Sequence, residues 1–249
     1  MADRKITKSI AVTAANYLDF PMSVQLPLHI GLRDSATFSN FYPAGNEQLL
    51  TQLRQCAVNQ GEHFIFLHGM DGTGKSHCLQ AVCHAAAENQ LQAAYLPMQD
   101  IRSMPVAALE GMEQLDVVCI DDIDQVAGDS DWETAIFNLY NRIRDNRGYL
   151  VVSASTRVEE TGITLKDLQS RLVWGLVFRL ESLDDDALAK ALQVRARLRG
   201  MDLSDEVAAY ILKRSARDMN SLFGLLEKLD HESLAAQRKL TIPFVKEFL

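Results

Sequence analysis

Phe64 to His77 reads FIFLHGMDGTGKSH. The first four residues are an apolar run of the length a buried parallel strand takes, and Gly69 ends it. After His68, the eight residues Gly69 to Ser76 read GMDGTGKS and match the phosphate-binding pattern GxxxxGK[ST] in full. A helical stripe follows, with Leu79, Val82, Cys83 and Ala86 on one face. Strand, glycine-rich loop and helix form the setting in which this pattern works. Gly69, Gly72 and Gly74, with Thr73 between them, let the backbone turn its N–H groups onto phosphate oxygens. The helix N-terminus adds a favourable dipole. Lys75 is placed to reach the β- and γ-phosphates, and the Ser76 hydroxyl to ligate Mg²⁺. At average residue frequencies a chance match in such a chain has odds of roughly one in a hundred. Asp71 is unusual in such a loop and is expected to point away from the phosphates.

Working outward, Ala93 to Leu96, Val117 to Ile120, Leu150 to Val152 and Leu176 to Leu180 read as further strands. Helical stripes separate them, which predicts βαβ units and a five-stranded parallel sheet covered on both faces. Asn46 is expected to cap a helix burying Leu49, Leu50, Leu53 and Ala57. Ser130 and Glu133 form a capping-box pattern before Trp132, Ile136, Leu139 and Ile143. The run LDVVCIDD delivers Asp121 and Asp122 at a strand's carboxyl end, where a Mg²⁺–phosphate site needs acids. Asp121 is expected to hold the metal through its water shell, and Asp122 to orient or deprotonate an attacking water. After Leu180 the strands stop. Helices are expected near residues 184–199, 204–214, 218–237 and 242–248, so an α/β domain (36–182) is followed by a small all-α lid (183–249), with an arm at 1–35.

The 249 residues carry a formal net charge of −8, all of it within residues 1–182. So acidic a chain is a poor non-specific binder of phosphate backbones, and any action on DNA is expected through a partner. No apolar run approaches a membrane span. Arg4, Lys5 and Lys8 before Ile10 to Ala15 imitate a signal peptide, but the apolar stretch is too short. Cys56, Cys78, Cys83 and Cys119 form no CxxC pair and read as reduced core thiols of a cytoplasmic protein. The histidines show no metal spacing. The basic cluster Arg195, Arg197 and Arg199 reads as a solvated helix end, and Trp132 and Trp174 as core or interface aromatics.

With these pieces placed, residues 36–249 resemble an AAA+ ATPase of the DnaA initiator branch. The segment ATFSNF with Gly45-Asn46 resembles the part of that branch that lies along the nucleotide base, which implicates Phe41 and Tyr42. GKSHCLQA resembles the start of its P-loop helix and adds His77, and CIDDID resembles its Walker B. DLQSRLVWGL, Asp167 to Leu176, resembles the segment carrying the arginine finger, which implies that role for Arg171; alternatively Arg171 pairs with Asp167, its i−4 neighbour. ARDMNSL, Ala216 to Leu222, resembles the sensor II helix and places Arg217 near the phosphates. The sensor I position falls near Ser153 or Ser155. There is little room between Tyr95 and Leu115 for the extra helix of initiators, and no helix-turn-helix follows the lid. These absences, with the run ALQVRARLRG and the ending AQRKLTIPFVKEFL, resemble the Hda group of regulatory inactivators of DnaA. QLPLHI, Gln25 to Ile30, resembles that group's sliding-clamp-binding peptide, with Gln25 for the pocket rim and Leu26 and Leu28 to fill it. The resemblance begins near Met22, which suggests Met22 as the natural start.

The resemblance implies a nucleotide-bound adaptor, with ADP or ATP and Mg²⁺ in its own pocket. Its partners would be the DnaA initiator and the sliding clamp, with DNA met only through the clamp, no membrane, and a homo-oligomer left open. Its own hydrolysis would be weak or absent. A helicase-loader-like AAA+ protein shares the P-loop and the finger, and a P-loop kinase for a small metabolite shares the P-loop alone.

Overall fold

The computed structural model describes residues 36–215, 219–236 and 238–249. Strands Phe64–His68 (β1), Ala93–Pro97 (β2), Val117–Asp121 (β3), Tyr149–Ala154 (β4) and Leu176–Arg179 (β5) form one sheet in the order β2-β3-β4-β1-β5. Each neighbouring pair is parallel. All five strands therefore deliver their carboxyl ends to one rim, with β4 between the two that carry the motifs.

Alternate residues of each strand feed opposite layers. Ile65, Leu67, Val117, Cys119 and Val151 pack with helices Glu47–Cys56 (α1) and Lys75–Glu88 (α2). Phe66, Val118, Ile120, Leu150 and Val152 pack on the other face with Met98–Ile101 (α3), Ser130–Asp145 (α4) and Lys166–Leu172 (α5). Each large side chain so buried contributes about 1.5–3 kcal/mol. The short span between β2 and β3 holds only α3 and two 3₁₀ turns, Val106–Leu109 and Met112–Gln114. The four cysteines are free and buried, and burial pushes the Cys56 thiol up to about 12.

Two expected caps are built differently. Asn46 does precede α1, but its side chain does not cap it; its Oδ1 accepts from the Glu181 N–H at 3.1 Å, beyond β5. Asp129, not Ser130, caps α4, accepting from the N–H groups of Asp131 and Trp132. Glu133 is buried and spent elsewhere, as described below.

After β5 come Asp185–Leu198 (α6), Asp205–Arg214 (α7), Met219–Ala236 (α8) and Ile242–Val245 (α9). Side chains of Asp184, Ser204 and Thr241 cap α6, α7 and α9. Leu192, Val207, Ile211, Leu222, Leu226 and Phe244 share a core separate from those of the sheet. The basic cluster expected to be a solvated helix end is solvated only at Arg197. Arg195 is only 7% exposed, its guanidinium 4.1 Å from the Phe223 ring centre. Arg199 pairs with Glu227 and Asp230, leaving Arg197 exposed. Among the described residues no helix is long and apolar enough to cross a membrane.

Candidate nucleotide site and arginine helix

β1 ends at His68 and the loop turns over the rim of the sheet. The Gly69 N–H bonds to the Ala154 carbonyl of β4, and Thr73 folds its N–H and hydroxyl onto the Met70 carbonyl. Gly72 and Gly74 take positive φ of 79° and 102°. At Gly74 a Cβ would also lie 2.8 Å from the Phe41 ring, so glycine is required twice over. Gly74 opens α2, which puts Lys75 and Ser76 in its first turn. The Lys75 ammonium is buried and turned inward. It donates to the Gly69 carbonyl at 3.0 Å and lies 3.6 Å from Asp71 and 3.7 Å from Asp122. Asp71 is 99% exposed, yet its carboxylate leans back over Lys75 and so does not point away from the phosphate end of the loop.

β3 delivers Asp121 and Asp122 to the same rim. Asp121 is 3% exposed, and both its oxygens accept hydroxyl donors: Oδ1 from Ser153 and Oδ2 from Tyr95. Asp122 sits at φ 53°, a left-handed backbone that costs a non-glycine residue energy. This bend carries its carboxylate to Lys75, while its N–H donates to Ser153 Oγ at 2.9 Å. Burial first, and then the neighbouring Asp121 charge, push the Asp122 carboxyl up to about 6 against the pull of Lys75. Of the two serines near the expected sensor I position, Ser153 is thus spent on the acid pair. Ser155 donates its N–H and hydroxyl to Asp124. A backbone anion cradle, an ammonium, a hydroxyl and two carboxylates converge. The Ser76 hydroxyl and the Asp121 carboxylate are hard oxygen donors of the kind Mg²⁺ takes. The set suits a nucleoside polyphosphate.

The segment before α1 closes one side. His77 Nε2 is 2.9 Å from the Thr37 carbonyl, and its ring centre lies 5.4 Å from that of Phe41. Phe41 therefore lies between the loop and α2. Tyr42 is half-buried and, among the described residues, makes no hydrogen bond or ring contact to the loop. Asn46, through Glu181, ties this segment to the connection between β5 and the lid helices.

Arg171 lies elsewhere. On α5 it sits beside Tyr140 and Phe64, at the amino end of β1. The phosphate loop leaves the opposite end of that strand, four residue steps or about 13 Å away. The guanidinium is half-buried, and its carbon is 4.6 Å from the centre of the Trp174 ring, which is 63% exposed. The alternative pairing with Asp167 is not formed, and among the described residues Arg171 has no ion pair. The carboxylate of Glu133 fixes the loop leading into α5. It accepts from the N–H groups of Gly128, Thr164 and Leu165 and from the Thr164 hydroxyl. Burial alone would raise its pKa, but these donors hold it below the usual carboxylate range.

Tyr95 and Glu133 went unread as site residues in the sequence, and Ser153 was read only as a possible sensor I position. Tyr95 sits in an apolar strand pattern, and Glu133 mimics a local cap. Gln25, Leu26 and Leu28 of the expected clamp-binding segment, and Arg217 of the expected sensor II, lie outside the described residues.

Residues 32–179 match the bacterial DnaA ATPase domain, and residues 178–249 match the lid domain of Hda. Among solved structures, domain III of the Thermotoga maritima replication initiator DnaA superposes with a TM-score of 0.74 at 21% identity, over 88% of this chain and 97% of that one. AMPPCP-bound DnaA from Aquifex aeolicus gives 0.68 at 19% identity, over 82% and 68%. The Thermotoga maritima RuvB branch-migration motor gives 0.62 at 16% identity, over 82% and 66%. At such identities these likenesses speak for the fold. With the P-loop on β1, the paired acids on β3, and both halves of the chain matched to these families, the protein belongs to the bacterial DnaA ATPase-domain family as an Hda-like AAA+ protein with a helical lid.

Proposed function

We propose that this protein is a negative regulator of replication initiation. It binds a nucleotide, joins the DNA-loaded sliding clamp to ATP-bound DnaA, and stimulates hydrolysis of the initiator's ATP in trans. The observation that carries the reading is the position of Arg171. It stands at the strand ends opposite its own phosphate loop, stacked on the exposed Trp174 ring and with no ion pair among the described residues, so it is remote from this chain's own nucleotide site. A guanidinium so placed serves a neighbour's γ-phosphate, where it would stabilise the charge of phosphoryl transfer. Such fingers accelerate well-studied NTPases by about 10³ to 10⁵.

The chain's own pocket takes ADP or ATP. Its backbone N–H groups hold the phosphates, and Lys75 exchanges the Gly69 carbonyl for phosphate oxygen. Mg²⁺, held by Ser76 and through water by Asp121, supplies charge neutralisation when bound. AMPPCP in the DnaA of Aquifex aeolicus supports a nucleotide of the adenine class. Phe41 would lie along the base side, and the sensor II resemblance assigns Arg217 to the phosphates. Bound nucleotide serves chiefly to set the lid. The segment with Gln25, Leu26 and Leu28 holds the clamp, and through it the protein meets DNA.

The test is turnover of DnaA-bound ATP with and without DNA-loaded clamp. Wild-type protein accelerates it only with the loaded clamp. Arg171→Ala keeps fold and clamp binding but loses the acceleration. Normal stimulation by that variant removes the trans-finger assignment.

A further inference from the structure

The structure assigns a part to Tyr95: we propose that it is a positioning residue, whose hydroxyl holds the Asp121 carboxylate at the angle at which a magnesium–nucleotide complex meets it. The proposal rests on the reading that Ser76 and Asp121 serve the metal. Tyr95 lies on β2, in register with Cys119 of β3, two residues before Asp121. Its hydroxyl donates to Asp121 Oδ2 at 2.5 Å. Ser76 and Gln80 of α2 are further hydrogen-bonding neighbours of the same phenol. One hydroxyl on the edge strand therefore meets both residues assigned to the metal.

Asp121 is almost wholly buried, and Ser153 donates to its other oxygen. A carboxylate oxygen has two acceptor positions, so each oxygen keeps one for a metal-bound water. Two donors on two different strands, β2 and β4, fix the rotation of the carboxylate. A phenol has one hydroxyl proton to give, and that of Tyr95 goes to Asp121 Oδ2. Groups that orient a metal's ligands in this way typically govern metal affinity by about 10- to 100-fold.

Tyr95→Phe keeps the ring and removes only the hydroxyl. Calorimetric titration with AMPPCP, in EDTA and across a Mg²⁺ series, reads the effect without any turnover. In EDTA the variant is expected to bind as the wild type does. The Mg²⁺ concentration that half-completes the tightening of AMPPCP binding is expected to rise by about 10- to 100-fold. Ser153→Ala should move it the same way. A Tyr95→Phe profile that superposes on the wild type overturns the proposal. So does a loss equal with and without Mg²⁺, which would mean the phenol shapes the loop alone. Asp121→Asn separates this from the underlying reading. If it abolishes the Mg²⁺ effect while Tyr95→Phe does not, only the role of Tyr95 falls. If Asp121→Asn keeps the wild-type Mg²⁺ dependence, or the wild type shows none, the assignment of the metal to Asp121 falls as well.

Discussion

Asp122 is held in a left-handed bend between a buried carboxylate and a lysine, and its protonation is coupled to folding. Its carboxyl titrates near 6 in the native state against an ordinary value of 3.8. Between those pH values the folded chain binds more proton than the unfolded one, so this group's contribution to stability falls as pH rises through the window. Asp122→Asn removes the titration. The variant should match the wild type near pH 4 and gain on it up to pH 7, by well below the value of about 3 kcal/mol for an unscreened two-unit shift, because solvent screens a carboxylate this exposed. Urea midpoints across pH check this; a gap of equal size at pH 4 and pH 7 contradicts it. Residues such as Lys75 and Asp121 were legible in the sequence because chain spacing alone places them. Tyr95 was not, because its partner is set by the pairing of β2 with β3, which spacing along the chain does not encode.

Among the elements, α5 depends most on a distant residue. Glu133, in the first turn of α4, accepts hydrogen bonds from four donor groups of Gly128, Thr164 and Leu165 and so sets where α5 begins. Glu133→Gln turns an amide donor toward those N–H groups and should cost about 1–3 kcal/mol. Because the carboxyl's pKa is lowered in the fold, the stabilisation is complete above the ordinary glutamate range and is lost as pH falls through the lowered native value. Chemical denaturation of both proteins at neutral and acidic pH tests this: the difference should shrink in acid. The sequence presented Ser130 and Glu133 as a local cap because they carry that pattern. Asp129 stands one residue earlier and wins the cap, which leaves the glutamate for a loop 31 residues ahead. Strand and helix positions were legible because apolar periodicity marks them, whereas the tie between α4 and the α5 loop is tertiary.

At the scale of the molecule, the alternation of strands and helices was enough to forecast a parallel sheet with two covered faces and a separate helical core. The order of the strands became visible only in three dimensions. The proposed clamp tether is an attachment independent of the nucleotide rim. Gln25→Ala combined with Leu26→Ala should abolish retention on immobilised clamp and leave calorimetric nucleotide affinity at the wild-type value. Tight clamp binding by that variant would locate the attachment in another segment.

If Arg171 serves a partner as proposed, its placement at the end of β1 opposite the phosphate loop would give the domain a plug at one end of that strand and a socket at the other. A contact made through that plug is heterologous: the two partners offer different faces, and no twofold axis relates them. An association of this kind adds units in a single direction and leaves one unfilled socket at its terminus. On the proposed reading, a single copy would serve one initiator at a time.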